Sequence, residues 1–192
     1  MPKLRIEFTA YLLAAILLLI LPLKWLMAAA AAAVFHELCH VIAIYLTGGN
    51  IWNITVSAGG AVIETSPMSL GRELFCALAG PAGGLFLLLF VKWIPCTALL
   101  AGIQSIYNLF PLYPLDGGRA LRCGLELMIP AAEAERVCGY VEFGVIVSTV
   151  LLGMYAAIML KTGGIALMFI FVLCGKILRR KIPCKKAGQR VQ

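Results

Sequence analysis

The sequence predicts an all-α polytopic membrane protein with six transmembrane helices and a small β-hairpin at the membrane edge. Of the 192 residues, 62% are hydrophobic and the mean hydropathy is +0.97, whereas soluble domains are nearer half apolar. Several apolar stretches approach the ~20 residues that a helix needs to cross a bilayer. The basic residues also fall mainly on one side of the resulting spans, as membrane topology requires.

Six apolar segments define the predicted spans: 8–23, 25–46, 73–91, 95–113, 140–160 and 163–178. With their connections they form one predicted membrane domain over 1–178, and a basic cytoplasmic tail follows at 179–192. The connection 117–139 mixes charged and apolar residues around Pro130, so we expect one or two short helices at the membrane interface.

The charge distribution predicts the orientation of the chain. With a cytoplasmic N-terminus and six spans, Lys24, Lys92 and Lys161 lie outside, and the other thirteen of the sixteen basic residues lie inside. We therefore expect a multi-pass protein of the cell membrane with both termini cytoplasmic. This asymmetry and a tail suited to anionic lipid explain the net charge of +7. No aromatic and basic platform calls for a nucleic-acid partner.

Residues 50–66 alternate apolar and polar side chains around Gly59 and Gly60, which predicts a β-hairpin at the cytoplasmic face. Two interpretations stay open for this segment. It is an ordered loop, or it presents a free strand edge that pairs with an extended peptide.

The second predicted span contains the sequence HELCH, in which His36, Glu37 and His40 follow the pattern H-E-x-x-H. Residues four apart lie on one face of a helix, so both imidazoles can bind one metal ion, while Glu37 acts as general base on a water molecule. Ionisable groups within a span are costly and indicate function. The alternative is a pair of packed histidines. These two are the only histidines in the chain, which favours the metal site.

A catalytic zinc site generally needs a third protein ligand. Asp116, the only aspartate in the chain, follows the fourth predicted span, at a membrane depth similar to that of the two histidines. An Asp-Gly pair also marks a turn, and both interpretations are compatible. The competing third ligands are Glu64, after the hairpin, and Glu73, beside Arg72, for which an ion pair is the simpler interpretation.

The stretch NLFPLYPLDGGR, residues 108–119, ends the fourth predicted span with Pro111 and Pro114. Prolines free backbone groups, which a membrane tolerates only where the backbone is buried in protein or lines a cavity. Asn108 either stabilises an oxyanion or the substrate backbone, or forms an interhelical hydrogen bond. Gly80 and Gly84 in the third span favour close helix packing over a functional kink.

The seven cysteines are scattered and show no metal-binding or disulfide spacing, so we interpret them as small apolar residues. Cys39, within H-E-x-x-H, has no assigned purpose on this basis.

Three features in order, H-E-x-x-H, the Gly-Pro stretch AGPAGG in the third span, and N-x-x-P-x-x-P-L-D-G, resemble the site-2 protease family of intramembrane zinc metalloproteases. The resemblance covers roughly residues 5–180 and is greatest to the sporulation stage IV F-B protease branch, through the stretches PLYPLDGGR and SAGGAVIE. It implies cleavage of a membrane-associated protein, such as a sigma-factor precursor or a tethered transcription regulator.

The resemblance further implies that His36, His40 and Asp116 bind one zinc ion, that Glu37 is the catalytic base, and that Asn108 and Pro114 support the site. The family commonly has a small residue, often glycine, where Cys39 stands. No regulatory domain of the relatives is recognisable in the sequence, so we expect a separate regulatory membrane protein. The alternative function is a non-proteolytic metal-binding scaffold or a metal transporter, which would carry more polar groups along a path through the membrane.

Overall fold

The structure is a computed structural model that describes residues 3–160, with side chains described as far as Tyr155. The sixth predicted span and the basic tail lie outside the described residues. The elements, in order, are β1 (Lys3–Ile6), α1 (Phe8–Ile20), α2 (Leu23–Leu46), β2 (Ile51–Ser57), β3 (Gly60–Thr65), α3 (Leu70–Leu87), α4 (Pro95–Asn108), α5 (Asp116–Glu126) and α6 (Ala131–Leu160). A single 3₁₀ turn, Leu88–Phe90, extends α3.

Three of the described helices are long and apolar enough to cross a membrane: Leu23–Leu46, Leu70–Phe90 and Ala131–Tyr155. The prediction of six spans is therefore not confirmed. Helix α1 has 13 residues and α4 has 14, which at 1.5 Å per residue gives about 20 Å, against a hydrocarbon core of about 30 Å. The predicted spans were longer than these helices because the apolar composition continues past the helix ends. Helix α1 ends before Leu21 and Pro22, and α4 begins at Pro95 and ends at Asn108.

The predicted hairpin is confirmed, and it belongs to a three-stranded sheet in the order β1-β2-β3. Strands β2 and β3 are antiparallel, and Gly60 at the turn has a φ of +117°, which favours glycine. Strand β1 pairs in parallel with β2 and was not predicted, because the residues that pair with it lie about fifty positions away along the chain. In this order β1 and β3 are the edge strands, so among the described strands β3 has a partner on one edge only.

The face of α3 that turns towards α2 and α4 carries glycines, and each one has a different neighbour. A Cβ atom at Gly83 would collide with the Sγ atom of Cys39, and one at Gly84 would collide with the Oγ atom of Ser105. Cys39 therefore packs into the space that Gly83 leaves open. This contact gives Cys39 a packing role that the sequence alone did not supply.

The loop between α4 and α5 folds tightly against the first turn of α5. A Cβ atom at Gly118 would lie 2.5 Å from the carbonyl carbon of Leu112 and 2.6 Å from the nitrogen of Tyr113, and one at Gly117 would collide with the carbonyl of Leu109. The two glycines after Asp116 thus allow α5 to begin directly beside this backbone. The fourth predicted span ended at 113, but the helix ends at Asn108, because the following prolines prevent its continuation.

Residues up to Gly139 form one compact unit, which contains the sheet and α1 to α5. Helix α6 begins at Ala131, directly after Pro130, and continues to Leu160. The fifth predicted span began at 140, so the helix starts nine residues earlier than the apolar pattern indicated. The first turns of α6 contain charged residues, which form a helix readily but do not belong to the apolar pattern from which the span was predicted.

Candidate metal centre

Helix α2 presents His36 and His40 to the interior of the protein. Their exposed fractions are 2% and 7%, although Val34, Leu38 and Ile42 on the opposite face of the same helix are exposed. The four-residue spacing puts both imidazoles on one face, as the sequence predicted. Asp116, the first residue of α5, meets this face from the other side of the unit.

Three ligand atoms form a nearly equilateral triangle. The Nε2 atom of His36 lies 3.1 Å from Oδ2 of Asp116, the Nε2 atom of His40 lies 3.2 Å from the same oxygen, and the two Nε2 atoms are 3.2 Å apart. Of the described residues, this is the one group of three or more histidine, cysteine or acidic side chains with metal-binding geometry. Protein ligands bind zinc at about 2.0–2.2 Å in a tetrahedron, which sets neighbouring ligand atoms about 3.3–3.6 Å apart. The triangle therefore fits an ion of this kind.

The hydrogen bond on the far side of His40 orients its ring. Its Nδ1 atom lies 2.7 Å from the carbonyl oxygen of Cys76 in α3, and a carbonyl only accepts, so Nδ1 carries the proton. This leaves the lone pair of Nε2 to face the triangle. Such a hydrogen bond to a backbone carbonyl fixes the tautomer of metal-binding histidines in general.

The charge state of Asp116 also suits a cation. Burial raises the pKa of this carboxyl group, but without a metal ion the hydrogen bonds and positive charge of His36 and His40 in their protonated forms outweigh burial and lower the pKa to about 2. Asp116 is therefore ionised at neutral pH. An ionised carboxylate and two imidazole nitrogens within 3.2 Å of one another need either a shared proton or a metal ion between them.

Glu37 and Pro114 reach the same place from different elements. Both line a cleft of about 290 Å³ that also contains His40 and Asp116. Glu37 is partly buried and forms part of the cleft wall. The residue that the sequence assigned as a base thus shares a cavity with two of the ligand side chains, and Pro114 forms part of the wall.

Asn108 ends α4 and contacts the ligand set directly. Its Nδ2 atom lies 3.2 Å from Nε2 of His36, so the amide is a hydrogen-bonding neighbour between helices α4 and α2. Of the two sequence interpretations of this residue, the interhelical contact is present in the structure. A role towards the substrate is not tested by it.

The two competing ligands lie elsewhere. Glu64, on β3, accepts a hydrogen bond from the side chain of Asn53 at 2.7 Å, across the hairpin. Glu73, in the first turn of α3, pairs with Arg119 of α5 at 3.7 Å, whereas the sequence suggested Arg72. Neither glutamate joins the triangle.

Gly80 is a residue of the site whose partner the sequence did not reveal. A Cβ atom there would lie 2.6 Å from Cε1 of His40 and 2.8 Å from Nε2 of His36, so α3 approaches both imidazoles with bare backbone. The small-residue pattern predicted close helix packing but not the side chains that Gly80 contacts. The packing of α2 against α3 shows that these are the imidazoles of His36 and His40.

The cleft continues from the ligands to the hairpin. Its far wall consists of β3 residues, and Ile44, Met68 and Arg119 contribute to the lining. The β3 residues are Ala61, Val62, Ile63 and Thr65. Residues of the edge strand β3 and of the candidate metal centre therefore line one cavity.

Neither a protein-family profile nor a curated protein sequence matches the chain. Among solved structures, the site-2 protease from Methanocaldococcus jannaschii is similar, with a TM-score of 0.61 and 21% sequence identity. The match covers 88% of this chain and 87% of that protein. At this identity the similarity shows a shared fold, and it agrees with the predicted resemblance to the site-2 protease family at that level.

Proposed function

We propose that this protein is an intramembrane zinc endopeptidase of the site-2 protease type. The observation that carries the proposal is the triangle of His36, His40 and Asp116, whose ligand atoms lie 3.1–3.2 Å apart beside the carboxylate of Glu37. The fold shared with a site-2 protease supports the reaction class. One zinc ion is the proposed cofactor, because two imidazoles and a carboxylate are a common catalytic zinc set.

A bound zinc ion supplies Lewis-acid polarisation of the scissile carbonyl and lowers the pKa of water towards ~7. The residues of the chain do the rest. Glu37 takes the proton from the attacking water and passes it to the leaving amine. His40 is held in one tautomer by the carbonyl of Cys76, Asn108 places its amide 3.2 Å from the ligand nitrogen of His36, and Pro114 shapes the wall beside the substrate.

The substrate we propose is an unwound segment of a membrane-associated protein. A helical segment hides its carbonyl groups in its own hydrogen bonds, so the scissile bond must be presented in an extended form. Strand β3 lines the cleft, and its outer edge has no partner strand among the described elements. Of the two interpretations of the hairpin, the peptide-pairing edge is the one that this position supports.

The cellular setting is part of the proposal. Within the family we place the chain in the sporulation stage IV F-B branch, on the stretches PLYPLDGGR and SAGGAVIE, with a sigma-factor precursor or a tethered regulator as substrate. We place both termini in the cytoplasm on the charge asymmetry, and a separate membrane protein as regulator.

The test is co-expression with membrane-tethered regulators from the same genome, with cleavage scored as a size shift on a gel. The wild type is compared with Glu37→Gln, which keeps the size and the hydrogen-bonding capacity of the side chain but removes the base. We expect cleavage by the wild type only, with equal zinc content in both purified proteins. Cleavage by Glu37→Gln sinks the proposed mechanism. Zinc flux through reconstituted vesicles without cleavage supports a transporter instead.

A further inference from the structure

Arg119 lines the cleft but has no part in the proposed reaction. It is the only cation among the described residues that form the cleft wall. Asp116 lies three residues before it, so the two side chains leave neighbouring positions on the same side of α5. A positive group is thus fixed within the substrate cavity, one helical turn from a proposed metal ligand.

The contact of Arg119 with Glu73 leaves capacity for another acceptor. The closest atoms, Nη2 of Arg119 and Oε1 of Glu73, are 3.7 Å apart, which exceeds hydrogen-bond length, and the side chains are 40% and 39% exposed. A guanidinium has five N–H donors in a planar fork, which suits a carboxylate bound through two hydrogen bonds. One long, exposed ion pair does not saturate this group.

The partner of Arg119 lies at a distance from the ligand atoms along α3. Glu73 precedes Gly80 by seven residues, so its backbone is two turns, about 10 Å along the axis, from the glycine that touches both imidazoles. A guanidinium paired with Glu73 is therefore placed beside the ligand triangle rather than at it. An extended peptide advances 3.2–3.4 Å per residue, so the same distance corresponds to about three residues of a peptide lying along β3.

We propose that Arg119 forms a specificity subsite that selects substrates with a carboxylate about three residues from the scissile bond. The inference rests on the proposed peptidase function. Glu73 competes with the substrate carboxylate for the guanidinium, and its removal strengthens the selection.

The experiment uses the purified full-length protein in detergent micelles and a library of proteome-derived peptides, with new termini identified by mass spectrometry. In the wild type, we expect Asp and Glu to be enriched about threefold to fivefold at one position two to four residues from the cleaved bond. Glu73→Gln raises the enrichment, Arg119→Gln abolishes it, and Arg119→Glu replaces it with enrichment of Lys and Arg. If Arg119 instead binds the C-terminal carboxylate of a peptide, cleavage occurs about three residues from peptide C-termini. Amidation of the peptides then abolishes this cleavage.

Arg122 supplies the matched control on the same helix. It is exposed and pairs with Glu126 at 2.7 Å, away from the cleft lining, so Arg122→Gln leaves the preference unchanged. Equal charge preferences in the wild type, Glu73→Gln and both Arg119 variants overturn the inference while the peptidase function stands. No cleavage by the wild type above the Glu37→Gln blank overturns the peptidase function itself. Glu73→Gln retains Arg119 and keeps the inference testable if the Arg119 variants fail to fold.

Discussion

The candidate metal centre and the far wall of the cleft are built in opposite ways. At the metal centre, two buried imidazoles are held between helix backbones, with a glycine against their ring atoms and a carbonyl fixing one tautomer. At the far wall, residues of the edge strand β3 line the same cavity, together with Arg119, which makes a long, exposed ion pair with Glu73. The comparison teaches that the atoms of the triangle are placed by close packing, whereas the wall that β3 and Arg119 form keeps hydrogen-bonding capacity.

The largest effect is expected from removal of a ligand at the metal centre. Asp116→Ala takes away one corner of the triangle and the only negative charge on it, so the protein should lose its zinc and all peptidase activity. Zinc content by mass spectrometry and peptide cleavage check this. Glu64→Ala, at a carboxylate bonded to Asn53 on the hairpin, is the matched control and should retain zinc. Full zinc content in Asp116→Ala contradicts the ligand assignment.

The next effect tests whether close packing places the ligands. Gly80→Ala puts a methyl group within 2.6–2.8 Å of atoms of both imidazoles, so we expect at least a hundredfold loss of cleavage and weaker zinc binding. Gly71→Ala on the same helix has nothing within 4 Å of its Cβ atom and should behave as the wild type. Activity assays and zinc titration of both variants decide the matter, and a fully active Gly80→Ala removes the packing argument.

A parallel test concerns the contact that explains Cys39. Gly83→Ala collides with the Sγ atom of Cys39, so this single variant should be destabilised by about 1–3 kcal/mol. Combining it with Cys39→Gly removes the colliding side chain, so the double variant should recover most of the lost stability. Thermal unfolding of the single and double variants measures this recovery. If the second substitution gives no recovery, the packing role of Cys39 is wrong.

A smaller effect is expected for the amide beside a ligand. Asn108→Ala removes the side chain whose Nδ2 atom lies 3.2 Å from Nε2 of His36, while leaving the three ligand atoms in place. Loss of a polar neighbour of the ligands typically costs 10–100-fold in metal affinity or activity. Zinc affinity and cleavage rates should fall within that range, and unchanged values would reduce Asn108 to a helix-packing residue.

The smallest effect tests the open wall. Backbone N–H groups along β3 point alternately to β2 and away from it, so of Val62→Pro and Ile63→Pro one disrupts the pairing and the other removes an outward donor. The variant that removes only the outward donor should keep its thermal stability. Its rate of peptide cleavage should fall about threefold to tenfold, which corresponds to the loss of one hydrogen bond. Unaltered cleavage by the stable variant contradicts strand pairing with the substrate.

Much of the metal centre was readable from the sequence because its spacing is local. His36, Glu37 and His40 lie within one helical turn and a half, so helix geometry alone puts the histidines on one face. Asp116 was predicted as the third ligand partly because it is the only aspartate of the chain, although Glu64 and Glu73 remained as competing ligands. The hairpin was readable from its alternation, but β1 was not, since its partner lies about fifty residues away.

The sequence by itself determined the apolar character of the chain, the helix that carries H-E-x-x-H, and the chemistry that those side chains can perform, because each depends on composition or on neighbours along the chain. Only the tertiary structure decided which carboxylate completes the triangle, that Gly80 faces the imidazoles, that Gly83 leaves room for Cys39, and that Glu73 pairs with Arg119. These contacts join residues on different elements. Their geometry depends on how α2, α3 and α5 pack, and no local rule along the chain contains that information.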